Sequence, residues 1–109
     1  MRALRKLFLG PDVPDADRIL FRLASGAGTV GFHVVTWNGR RLEITNSVFW
    51  KFAFVRKAGD VAGLARSKAD ALELVRQIVE NCLQATGTAE LEPYLVELAW
   101  RAVPDGSGR

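Results

Sequence analysis

The amino-acid sequence predicts an α+β fold: an antiparallel, three- to four-stranded β-meander over about residues 18–57, preceded by a short N-terminal helix and followed by two C-terminal helices, about 68–86 and 89–103, packed on one sheet face. Three observations carry that prediction. Thr29–Trp37 and Val48–Val55 alternate with a period of two, as strands do. Asn38-Gly39 stands between two alternating runs and suits a type I′ hairpin, whose central residues both need positive φ. Beyond Ser67 the apolar residues recur at helical spacing.

From the N-terminus, Met1–Gly10 reads as a short amphipathic helix with a basic head, stopped by Gly10 and Pro11. Its apolar stretch is too short for a secretory h-region of about 7–15 residues. Arg18–Ala24 admits two readings. As a strand, Ile19, Phe21 and Leu23 share a face; as a helix starting at Pro14, with Asp15 and Asp17 in its first turn, Ile19, Leu20 and Leu23 form a stripe. The alternation and the following Gly26-Ala27-Gly28 turn favour the strand. The hairpin at Asn38-Gly39 then pairs Trp37 with Arg40, Val35 with Leu42 and His33 with Ile44. A turn near Asn46-Ser47 leads into a strand Val48–Arg56, a turn over Lys57–Asp60 closes it, and Val61–Ala65 adds a short edge.

Ser67, with Asp70 three residues on, caps a helix that ends at Gly87. Its apolar positions are Ala71, Leu72, Val75, Ile78, Val79, Cys82 and Leu83. The last helix, Ala89–Val103, presents Leu91, Leu95, Leu98 and Ala102, with Pro93 in its first turn, where a missing N–H does no harm. Residues 104–109 read as a frayed tail, and 1–109 as a single domain.

A chain of 109 residues, 49% apolar and 25% charged, suffices for one core and is too apolar for disorder. Its one cysteine excludes an internal disulfide and a cysteine-based zinc site, and suits a reducing compartment. No apolar run approaches the roughly 20 residues of a membrane helix, so a cytoplasmic protein without membrane attachment is expected. Charge divides along the chain. Residues 1–68 hold 12 basic and 5 acidic groups, net +7, whereas residues 69–109 hold 3 basic and 7 acidic, net −4. Such a basic half attracts nucleic acid or an acidic partner.

Signs of chemistry are sparse. His33 is the sole histidine and sits mid-strand among apolar residues, without the orienting acid and nucleophile that a general base serves. Cys82 lies in the apolar stripe of its helix and reads as an inert thiol. Gly26-Ala27-Gly28-Thr29-Val30-Gly31 has the spacing of a dinucleotide-binding loop but precedes a strand, so no helix N-terminus follows to receive a phosphate. Glu90 and Glu92 open a helix, where its dipole accounts for them. No enzyme activity, cofactor or metal is expected.

What the pattern does imply is binding. Both predicted long strands are apolar on two faces, whereas a sheet with one wet face shows apolar–polar alternation. Four strands spaced by about 4.8 Å span roughly 19 Å, a width that two helices about 10 Å apart cover once. One apolar face is thus left over, and such a patch marks an interface. The sequence therefore predicts a small non-catalytic regulatory protein that binds or inhibits a larger protein partner. It is expected to be a homodimer built on that face through Phe21, His33, Val35, Trp37, Leu42 and Ile44. The alternative is a DNA- or RNA-binding accessory protein, using the basic hairpin face of Arg40, Arg41, Lys51, Arg56 and Lys57 with interleaved aromatic rings.

Overall fold

The computed structural model describes residues 1–104; the tail expected over 104–109 lies outside the described residues from 105 onward. Its framework is a five-stranded mixed sheet in the order β3-β2-β4-β1-β5. The strands are β1 (Arg2–Leu9), β2 (His33–Trp37), β3 (Leu42–Asn46), β4 (Asp60–Ala65) and β5 (Trp100–Ala102). β1 runs parallel to β4, and the remaining neighbours are antiparallel. The helices are α1 (Ala16–Ser25), α2 (Ala53–Arg56), α3 (Lys68–Thr86) and α4 (Leu91–Leu98), with a 3-10 turn over Ser47–Lys51. The α+β class holds. The meander, its all-antiparallel pairing and several element types do not.

The first ten residues form an inner strand rather than a helix. Ala3 and Leu4 are both fully buried, in the cores on opposite faces of the sheet. The register against β4 jumps between Ala3↔Val61 and Phe8↔Gly63. In the sequence the apolar pairs Ala3-Leu4 and Leu7-Phe8 stand four residues apart, which imitates the helical period, and the irregular register carries that spacing within a strand.

Arg18–Ala24 goes the other way: it is helical, not a strand. Asp15 caps α1 by accepting from Arg18 N at 3.3 Å, Gly26 ends it at φ 72°, and Ile19, Leu20, Leu23 and Ala24 are buried. The strand reading fails because Leu20 and Ala24 belong to the buried stripe, which alternation would put on the wet side.

The hairpin keeps its predicted faces but has a wider loop. Trp37 pairs with Leu42, Val35 with Ile44 and His33 with Asn46, a shift of two residues that leaves every side chain on its side. Asn38 causes it: its Oδ1 accepts from Arg40 N at 2.8 Å and from Arg41 N at 2.9 Å, closing a four-residue loop with Gly39 at φ 92°. After β3 the chain leaves the sheet. Asn46 Oδ1 accepts from Val48 N at 3.0 Å and starts the 3-10 turn, so the strand expected over Val48–Arg56 is absent.

Val61–Ala65, expected at an edge, lies inside the sheet between β2 and β1. Its small residues let α3 come close. A Cβ on Gly63 would lie 2.8 Å from Phe8 O and 3.2 Å from Leu74 Cδ1. Ser67 caps α3 as expected, accepting from Asp70 N at 3.0 Å, but its buried side is Ala71, Leu74, Ile78 and Cys82, leaving Leu72 and Leu83 exposed. The last helix ends at Leu98. Ala99 adopts φ 75°, and Trp100–Ala102 turns back to pair with Leu4, Ala3 and Arg2.

Two cores result. α3 and α4 cover one face, over Leu4, Val35, Trp37, Ala62 and Ala65. α1 covers the other with the help of Trp50 and Val55, over Ala3, Val34, Val61 and Leu64. The chain thus closes both faces of its own sheet, and the leftover apolar face inferred from the sequence does not exist: α1 is the missing lid.

Candidate partner-binding surface

Three anchors hold the Ser47–Lys57 segment in place. Ser47 is fully buried; its N–H donates to Phe32 O at 2.9 Å while its Oγ accepts from Phe32 N at 3.2 Å. Trp50 fills the core beneath α1. Arg56 Nη1 donates to Trp50 O at 2.7 Å, and its guanidinium fills the space beside Gly26, where a Cβ would lie 2.6 Å from that nitrogen. This charge therefore works inside the fold, tying the segment to the end of α1.

Between those anchors the segment turns rings outward. Phe49 is 50%, Phe52 42% and Phe54 74% exposed. Phe52 and Phe54 stack with centroids 5.6 Å apart and planes 23° from parallel, and Lys51 Nζ lies 5.2 Å from the Phe52 centroid. Burying a phenylalanine is worth about 1.5–3 kcal/mol, so three left in water within six residues concentrate unburied apolar area on one segment. Phe21 is also half-exposed, on α1, the helix that packs beside the 3-10 turn.

Of the six residues expected at a dimer interface, Val35, Trp37, Leu42 and Ile44 are brought together, but against the chain's own core and not on an open face. Val35 and Trp37 are buried under α3 and α4, and Leu42 and Ile44 are half-buried against the same core. Phe21 belongs to the helix on the opposite face. His33 is half-buried on β2, and its Nδ1 has no hydrogen-bond partner among the described residues. The basic set is divided too. Lys57 lies beside the hairpin loop in a cleft of about 350 Å³ that Asn38, Gly39 and Asp60 also line. Arg40 and Arg41 flank the same loop, with Arg41 Nε 3.4 Å from Glu43. Lys51 leans over Phe52, and Arg56 faces inward.

Sequence reasoning places Phe52 and Phe54 on a strand, with a surface role only as stacking rings in the nucleic-acid alternative, and misses Phe49 as a surface residue. The available signal was four aromatic residues in six positions around Lys51, a run that one small core could not absorb. Elsewhere, Cys82 Sγ lies 3.3 Å from Thr88 O and 3.4 Å from Glu90 O, buried where α3 meets the start of α4. Among the described residues no helix is long and apolar enough to cross a membrane. No family model matches the chain, and no curated protein or solved structure matches it.

Proposed function

We propose that this is a non-catalytic binding protein that regulates a larger protein by docking through Phe49, Phe52 and Phe54. One observation carries the reading: three solvent-facing rings on a segment anchored at Ser47, Trp50 and Arg56. Preorganised aromatic groups lose little conformational freedom on binding, which is why they dominate interface energetics. Lys51 and Lys57 favour a partner whose apolar surface is rimmed by acidic groups. Two copies meeting ring to ring would set these lysines against each other. The homodimer across the sheet loses its reason as well, because that face is closed within one chain.

The test uses the full protein and its F49S/F52S/F54S variant, immobilised and exposed to nuclease-treated extract of the host cells. A protein retained by the first and not by the second, in salt up to about 0.5 M, supports the reading. Identical retained sets refute it. Exposed substitutions shift stability by only about 0.5 kcal/mol, and circular dichroism checks that the variant is folded. Sedimentation at micromolar concentration tests self-association: a two-chain mass that falls to one in the same variant makes the partner a second copy.

Nucleic-acid binding is the second reading, favoured by the meeting of Lys57 with the hairpin loop that carries Arg40 and Arg41. A phosphate-driven complex must weaken steeply as salt rises. Unchanged retention of single-stranded DNA by R40E/R41E ends it.

A further inference from the structure

The outer side of α1 and the loop that enters β2 enclose a second groove, of about 420 Å³. It is remote in sequence from the exposed rings, and its chemistry differs from theirs. Arg18, Ile19 and Arg22 line one wall, and Thr29, Val30 and Phe32 the other. The two arginines are four residues apart, so successive turns of α1 bring them to the same side.

Three features of the groove point to a ligand. Neither Arg18 nor Arg22 forms an ion pair among the described residues; the Arg22 guanidinium reaches only Ala27 O, at 3.4 Å. Asp15, the one carboxylate at the groove, is engaged as the cap of α1, where it accepts from Arg18 N. Two guanidiniums therefore face one acid, and the local balance favours an anion. Next, Val30 is 67% exposed and stands with Ile19 and Phe32 around the same space, so the site offers an apolar seat beside its charges. Last, Thr29 is only 6% exposed, and its Oγ1 has no hydrogen-bond partner among the described residues. A buried hydroxyl left unpaired is costly, and a ligand whose entry shifts the loop enough to uncover it would recover that cost.

We infer that this groove binds a small organic anion: one carboxylate or phosphate group on an apolar body no larger than a ring or short chain. Arg18 and Arg22 take the anionic oxygens in charge-assisted hydrogen bonds, which are shorter and about twice as strong as neutral ones. Ile19, Val30 and Phe32 receive the body. The volume falls at the lower end of the roughly 300–1,000 Å³ usual for small-molecule sites, which limits the size of the occupant. Gly28 and Gly31, at φ 71° and 91°, give the loop of the outer wall a course that side-chain-bearing residues rarely follow.

Titration calorimetry and two-dimensional NMR on the full chain test the inference, with phenyl phosphate and phenylacetate as probes and inorganic phosphate and benzyl alcohol as controls. Saturable binding of either aromatic anion is expected, with shifts confined to residues 15–22 and 28–32. Both controls should bind at least about tenfold more weakly, because each offers only half of the recognition. R18Q/R22Q should weaken the anion about tenfold or more. Val30→Asp, at an exposed position where folding is not at stake, should abolish binding by setting a carboxylate at the rim. Failure of both probes to saturate by about 10 mM overturns the inference, as does unchanged affinity in R18Q/R22Q or V30D. Inorganic phosphate binding as tightly as phenyl phosphate overturns it as well, since the apolar seat would then do nothing.

Discussion

The two faces of the sheet are closed by different means. On one, the 19-residue α3 lies over β4 as a single rod, capped by Ser67 and ended by Gly87, with α4 beside it. On the other, the 10-residue α1 shares the work with an irregular segment that enters the core chiefly through Trp50. Polar satisfaction follows the same division. Of the three buried side-chain atoms without a partner among the described residues, Trp50 Nε1 belongs to the second face and Thr29 Oγ1 to the groove beside α1. Exposed phenylalanines gather there too: Phe21, Phe49, Phe52 and Phe54. A face built from one long helix has regular spacing, and its exposed apolar residues, Leu72 and Leu83 of α3 and Val96 of α4, include no aromatic ring. A face assembled from short pieces leaves loose ends, and both proposed binding surfaces lie at those ends.

That contrast breaks most sharply at Trp50. Trp50→Ala should destabilise the chain by about 3–5 kcal/mol, read as a lower urea midpoint, since Trp50 is the largest of the three anchors and the one that fills the core. Trp50→Phe should cost far less, because it keeps most of the ring volume and removes an N–H that has no partner among the described residues. Equal losses in the two variants would mean that the indole N–H, and not the volume, secures this face.

The opposite face should fail by overfilling. Gly63→Ala puts a methyl group 2.8 Å from Phe8 O, a backbone atom of the adjacent strand, and should cost about 1–3 kcal/mol. Denaturation of the variant checks it. A neutral result would show that β1 can shift at its irregular register and that the packing under α3 is looser than its regularity suggests.

The same division governs what could be read from the residues alone. α3 was legible because a capped amphipathic helix announces itself locally, through Ser67, Asp70 and the spacing from Ala71 to Cys82. β2 and β3 were legible in their faces, but not in their loop, where the Asn38 carbonyl captured two N–H groups beyond the expected turn. β1 is misleading because it buries Ala3 and Leu4 on opposite faces and then exposes Arg5 and Lys6 in succession, so apolar and polar residues come in pairs that imitate a helix instead of alternating. The run from Val48 to Val55 alternates like a strand, yet a single hydrogen bond from Val48 N to Asn46 Oδ1 starts a different path. Its candidate surface is hidden for the same reason: a strand reading sets the rings in the sheet and not on a turn outside it. The anion groove had no motif at all, since Arg18 and Arg22 become its wall only once Arg18–Ala24 is helical.

The smallest effect should come from the outer side of α3. Arg76 donates to Glu73 at 2.5–3.1 Å and pairs with Glu80, and these hydrogen bonds hold the Glu73 carboxyl below its ordinary range and raise the Arg76 guanidinium. A carboxylate whose folded pKa is depressed stabilises the fold above its unfolded pKa and loses that contribution as pH falls through the folded one. Glu73→Gln should therefore lower the melting temperature slightly near neutral pH, with the difference closing on acidification below the ordinary carboxylate range. Being exposed, the pair should also lose its effect in high salt. A difference that stays constant with pH would assign the change to helix propensity. α3 would then owe its order to its buried stripe and its caps alone, and the contrast with the second face would rest entirely on packing.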